Sequence, residues 1–195
     1  MVANKRTGPL NSLFIAGLEF QEISEKRNWP FCFIGGIAVL RWGELRMTQD
    51  IDICLLCGFG NEEKYVKTLL KKFKSRISDA DNFAFTNRVL LLYASNGVSI
   101  DVSLSGLPFE SQMIKRATSF SFHADCTLIT CSAEDLIILK SFANRTKDWM
   151  DVEGAILRQG KSLDTDYIIE QLAPLCEIKE TPDIMNKLQF LINKA

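Results

Sequence analysis

Apolar positions along the chain fall into two periods. Leu13, Phe14, Gly17, Leu18, Phe20 and Ile23 recur at helical spacing and predict an amphipathic helix from Asn11 to about Asn28. Phe31–Ile34 is a short apolar run that breaks at Gly35-Gly36, and Ile37–Trp42 returns to helical spacing. A polar turn, Arg46-Met47-Thr48-Gln49, then leads into Asp50-Ile51-Asp52-Ile53, which alternates as a half-buried strand does and runs on into Cys54-Leu55-Leu56. This stretch predicts strand, glycine turn, helix, turn, strand.

Further on, Glu62–Ile77 reads as one helix with Val66, Leu69, Leu70, Phe73 and Ile77 inward and Lys64, Lys67, Lys71 and Lys74 outward. That lysine face is read first as solvated, and second as a contact for a polyanion. Ser78–Arg88 carries no clear period. Val89–Ala94 and Val98–Leu104, joined by Ser95-Asn96-Gly97, predict a hairpin. Phe109–Ala117 predicts a short helix after Pro108, and Cys126–Thr130 a last strand preceded by a loop holding His123, to which no role is given. From Ser132, an N-cap with an acidic residue three positions later, the pattern is helical to the end: Ala133–Ala143, Trp149–Leu157, Asp166–Leu175 and Thr181–Asn193. The expected class is α/β (an α+β mixed sheet). A core over 1–130 holds a small mixed sheet flanked by helices, and a helical bundle over 131–195 packs on it. The first ten residues, with Gly8-Pro9, are expected to be loose.

Composition narrows this little. The 195 residues are 47% apolar and 24% charged, with a net charge of −1, which argues against salt-driven binding of nucleic acid over the whole surface. No run is long enough to span a membrane, and Met1–Arg6 lacks the apolar core of a signal peptide, so a cytoplasmic location is expected. Six cysteines and a single histidine include one C-x-x-C, Cys54 and Cys57. With no second pair, neither a zinc site nor a disulfide framework is expected.

The anomaly is the pair of acids. Asp50 and Asp52 alternate with isoleucine in a strand, so both carboxylates share one face about 6.6–6.8 Å apart along the chain. Like charges beside a core need a cation between them, and Mg²⁺ or Mn²⁺ prefers carboxylate oxygens. Gly35 and Gly36, at the mouth of the preceding helix, leave backbone N–H groups open to an anion. Asp101 lies alone among apolar residues in a later strand. Three carboxylates beside a glycine-lined cradle suit phosphoryl transfer with two metal ions, all held by Asp50, Asp52 and Asp101. Lys140 lies in the register of its helix's apolar stripe, either as a snorkelling stem or as a phosphate partner.

In order and setting, Gly35-Gly36, Asp50/Asp52 and Asp101 resemble the minimal nucleotidyltransferases of the DNA polymerase β superfamily. The tracts R-M-T-Q-D-I-D-I and S-A-E-D-L-I-I-L-K…R-T-K-D-W-M-D-V are similar to the bacterial AbiEii-like toxin-type branch, and the likeness covers about Pro30 to Leu157. Many relatives carry Ser where this chain has Gly36. The resemblance implies transfer of a nucleoside monophosphate from an NTP to an acceptor hydroxyl, with two Mg²⁺ or Mn²⁺ ions and release of pyrophosphate. Asp50, Asp52 and Asp101 would be catalytic. Gly35, Gly36, Arg46, Thr48 and Lys140 would contact the nucleotide, and Asp148, at a position the branch counts among its site motifs, would join them. The acceptor is left open between a tRNA 3′ end, a protein and a small molecule such as an antibiotic, and the toxin likeness would add an antitoxin protein as partner. The rival reading is a binding module without turnover; three costly acids kept together argue against it.

Overall fold

The computed structural model describes residues 10–195, so the segment expected to be loose lies, Leu10 excepted, outside the described residues. The chain divides into two units, and the division is not a single cut: among the described residues 10–37 and 47–130 form the first, 38–46 and 131–195 the second.

The first unit is built on a mixed sheet of seven strands, larger than the pattern predicts. In chain order its elements are α1 (Ser12–Glu25), β1 (Phe31–Phe33), the first turn of α2 (Gly35–Trp42), β2 (Asp50–Leu56), α3 (Glu62–Leu70), β3 (Lys74–Ser75), α4 (Ala80–Asn87), β4 (Val89–Tyr93), β5 (Ser99–Ser105), α5 (Pro108–Arg116), β6 (Thr118–His123) and β7 (Cys126–Thr130). The strands lie in the order β3-β4-β5-β2-β1-β7-β6. β2 runs parallel to β5 and antiparallel to β1; β4 and β5 form the expected hairpin.

Alternation along the central strands sorts the two faces. Ile51, Ile53, Leu90, Leu92, Ile100 and Val102 are fully buried. α1 lies against this side, where a Cβ on Gly17 would meet Leu128 at 3.0 Å and Ile51 at 3.7 Å. Phe20 of α1, also fully buried, packs its ring against Phe31 and Phe73. The opposite face carries Asp50, Asp52, Ser99, Asp101 and Tyr93, all exposed or half-exposed. One face is therefore core, and the other carries the three acids at exposed or half-exposed positions.

Two predicted elements change. The helix expected to reach Ile77 stops at Leu70, because Phe73 turns onto Phe20 and the chain beyond it pairs with the edge of β4, Lys74 opposite Tyr93 and Ser75 opposite Leu92. Tertiary pairing here overrides a period that fits a helix. The four-lysine face dissolves with it: Lys67 pairs with Glu63 one helical turn back, and Lys74 leaves the helix altogether. β6 is a strand, not a loop, and its T-S-F-S-F-H alternation is the pattern of one. The unassigned stretch before β4 is α4.

In the second unit, α6 (Ala133–Ala143) packs on α7 (Thr146–Gln159) and α8 (Thr165–Lys179), and α9 (Asp183–Lys194) closes against them. The Ser132 cap forms as expected, accepting from Asp135 N–H, and Asp135 in turn accepts from Tyr167. The segment from Ala38 to Arg46 belongs here because the helices hold it. Trp42 Nε1 donates to the Cys131 carbonyl at 2.8 Å, and Gln159 donates to the Trp42 carbonyl at 2.8 Å. Glu44 rests on Gly154, where a Cβ would come within 3.1 Å of its Cγ.

All six cysteines are free and buried, and burial pushes the thiols of Cys57 and Cys176 up, and that of Cys126 to about 11. Among the described residues no helix is long and apolar enough to cross a membrane.

Candidate active site

β2 and β5 pair in parallel with Asp52 opposite Asp101 and Asp50 opposite Ser99. Laterally paired residues share a face, as do residues two apart on one strand, so backbone register alone places all three acids on the open face. The expected grouping of Asp50, Asp52 and Asp101 is thus made by the sheet.

The two glycines serve this grouping through close approach. Gly35 sits at φ +53°, a conformation that favours glycine, and a Cβ there would lie 1.8 Å from Asp52 Oδ2. The Gly36 N–H donates to that same oxygen at 3.4 Å. Asp52 therefore sits at the N-terminal end of α2, where the helix dipole favours a negative charge. At Gly36 a Cβ would fall 2.1 Å from Thr48 Oγ1. Thr48 in turn donates to Asp50, to its carbonyl at 3.3 Å and its carboxylate at 3.2 Å. A Ser in place of Gly36 would require Thr48 to shift.

The third acid has a partner that sequence reading missed. Arg76, just beyond β3, forms an ion pair with Asp101 Oδ1, and both side chains are only about one-quarter to one-third exposed. Arg76 is fixed at its backbone, its N–H donating to the Leu91 carbonyl at 3.0 Å. Among the described residues, no three His, Cys, Asp or Glu side chains converge as a metal ion requires. The expected ligand set is accordingly on one face without being closed around a point; the repulsion of Asp52 and Asp101 is relieved on one side by the guanidinium. The donors themselves are carboxylate oxygens in lateral register beside a cleared helix end, the donor type that a hard divalent cation takes.

The remaining expected residues, Arg46, Lys140 and Asp148, form a buried ion cluster within the second unit. Lys140 Nζ lies 3.0 Å from Asp148 Oδ1 and 2.9 Å from Asp151 Oδ2. Arg46 grips Asp151 with both ends of its fork, at 2.7 and 2.9 Å. Arg145 holds Asp148 at 2.5 Å. Both carboxylates are almost wholly buried, and burial alone would raise them. Hydrogen bonds from Arg145 and Lys140 at Asp148, and from Arg46 and Lys140 at Asp151, outweigh it and hold both below the usual carboxylate range. The snorkelling alternative for Lys140 is corrected here: its side chain is 9% exposed and its head is spent on two acids. Asp151 was legible as an acid three residues after Asp148, on the same face of a helix.

A family model described as a nucleotidyltransferase of unknown function (DUF6036) matches residues 11–183. Among solved structures, the antibiotic-resistance factor ANT(2″)-Ia is 16% identical, with 86% of this chain and 92% of that one covered at a TM-score of 0.57. The lincosamide adenylyltransferase LnuA is 14% identical, with 72% and 94% covered at 0.50. An antigenic nucleotidyltransferase-like protein from Paracoccidioides brasiliensis is 15% identical, with 93% and 95% covered at 0.51. At these identities the likeness is one of fold. None of the curated proteins matches the chain.

Three outcomes follow from this geometry. Arg76→Met removes a competitor for Asp101, so calorimetric titration with Mn²⁺ should show tighter binding, by about fivefold or ~1 kcal/mol; weaker binding would mean that Arg76 helps to build the site. Gly36→Ala should destabilise by about 1–3 kcal/mol, the usual cost of overpacking, and pairing it with Thr48→Gly should recover most of that in denaturant melts. Lys140→Met leaves two buried carboxylates short of a cation and should cost about 3–5 kcal/mol near neutral pH. Because the wild-type acids are lowered, their contribution is full above the ordinary carboxylate range and is lost as pH falls through the lowered values. The deficit of Lys140→Met should therefore shrink as the pH of the melt is brought down.

Proposed function

The chain belongs to the DUF6036 nucleotidyltransferase family, and from that premise we propose that it moves a nucleoside monophosphate from an NTP to an acceptor hydroxyl on the open face of its sheet. The observation that carries this reading is the lateral pairing of Asp52 with Asp101, with Asp50 on the same face and Gly35 and Gly36 cleared against Asp52 and Thr48. Asp50, Asp52 and Asp101 would hold Mg²⁺ or Mn²⁺, two ions in the full site, which when bound supply positive charge against the triphosphate.

The chain's own groups do the rest. The backbone at Gly35-Gly36 and the Thr48 hydroxyl line the triphosphate side. Asp101, released by Arg76, accepts the proton of the acceptor hydroxyl. The acceptor oxygen bonds to the α-phosphorus as the bond from that phosphorus to the α–β bridging oxygen breaks, and pyrophosphate leaves with the electron pair. Arg46, Lys140 and Asp148 act within the second unit, where with Asp151 they form one ion network. The likeness of R-M-T-Q-D-I-D-I to the toxin-type branch supports the same chemistry, with an antitoxin protein as partner.

The test supplies each α-labelled NTP with Mg²⁺ to the protein together with total RNA, lysate protein or an aminoglycoside. The wild type should transfer label and release pyrophosphate. Asp52→Asn should stay folded, with like-charge repulsion relieved, and lose transfer by orders of magnitude. A wild type indifferent to EDTA, or a fully active Asp52→Asn, overturns the reading.

A further inference from the structure

Beyond Asp101 the open face of the sheet continues across two more strands, and its chemistry there is specific. Asp50 pairs laterally with Ser99, Ser99 with Tyr93, and Tyr93 with Lys74. These four residues form one row on the face that carries the acids. With strands about 4.8 Å apart, Tyr93 lies about 10 Å from Asp50 and Lys74 about 14 Å. Arg76 ends the neighbouring row, in which Leu91 pairs with Asp101 and Asp101 with Asp52. At the far end of the Asp50 row is an open depression of about 660 Å³ lined by Lys72, Lys74, Tyr93, Ala94, Ser95 and Gly97.

The charge of this platform is one-sided. Lys72 and Lys74 are exposed and have no ion-pair partner among the described residues. Tyr93 is 38% exposed with an aromatic face to offer. The carboxylate next to the depression, Glu19, is spent on the Ser95 N–H and hydroxyl, both at 3.0 Å. A polycationic acceptor would meet two ammonium groups and, at Asp101, a guanidinium already in place. An acceptor bearing phosphates and planar rings would find a stacking surface and counter-charges spaced along a line that starts at the acids.

Resting on the transferase reading above, we propose that Tyr93, Lys74 and Lys72 form the acceptor subsite, and that it takes the hydroxyl end of a single-stranded polynucleotide. A base stacks on Tyr93, backbone phosphates meet Lys74 and Lys72, and the terminal hydroxyl reaches Asp101. Stacking on aromatic side chains beside a cationic track is how single strands are held without sequence readout.

The test is fluorescence anisotropy of a labelled single-stranded oligoribonucleotide of eight residues with the full chain, in EDTA and without NTP, over a salt series. The wild type should bind. The double variant Lys72→Gln/Lys74→Gln, checked for folding by circular dichroism, should bind at least about tenfold more weakly. Its slope of log K against log salt should be shallower by about 1.4, two contacts at ~0.7 each. Tyr93→Ala should weaken binding by about fivefold to a hundredfold at an unchanged slope. Wild-type affinity and slope in the lysine variant, or no binding by the wild type, each overturns the proposal. Mn²⁺-dependent ATP binding by the wild type, measured without oligonucleotide, tests the transferase reading separately, so failure of one is not mistaken for failure of the other.

Discussion

Two carboxylates in lateral register on neighbouring parallel strands are a standing electrostatic problem, and much of the first unit is arranged around Asp52 and Asp101. A sheet does not tolerate opposed like charges without compensation. The chain compensates each acid differently. Asp52 is drawn against the end of α2, which Gly35 and Gly36 leave bare enough to approach, and it takes a backbone N–H there. Asp101 is given a guanidinium from the far edge of the sheet. Because these remedies are borrowed from a helix end and from an edge segment, the register of β2 and β5 also fixes where α2 must start and where the chain beyond β3 must lie. The open face is shaped by charge, while the buried face is shaped by packing.

Much of this was legible. The alternation of acid and isoleucine at Asp50–Ile53 fixed both the strand and the face, and the glycine pair announced the helix after it. The capped helix from Ser132 was readable for the same reason: its signals are local. What escaped depended on partners distant in sequence. Phe73 fits a helix and equally fits a turn onto Phe20, and only the free edge of β4 decides between them. That decision moves Lys74 from a solvated helix face to the acid-bearing sheet face and brings Arg76 to Asp101. Asp151 was in plain view, but its importance appears only when Lys140 and Arg46 are seen to converge on it. β6 is legible in its own alternation of Phe and Ser, a strand period that the polar residues around it disguise as loop.

The second unit handles charge in the opposite way. There, Asp148 and Asp151 are almost wholly buried and three cations close on them, so the cluster is rigid and intolerant of partial loss. A buried ion network of this kind adds less stability than it would cost to break, and its usual return is a defined geometry. In the first unit the acids are exposed or half-exposed, and the Arg76–Asp101 pair is only about one-quarter to one-third exposed.

The contact between Gly36 and Thr48 has a historical consequence. A side chain at position 36 crowds a threonine placed as Thr48 is placed, since the added carbon would sit 2.1 Å from the hydroxyl oxygen and one of the two would have to shift. A lineage that changes one codon at a time avoids that collision in one order only: position 48 shrinks before position 36 grows, and the reverse journey runs backwards along the same path. Descendants that have filled position 36 should therefore show, at the counterpart of Thr48, the residue that opened the way.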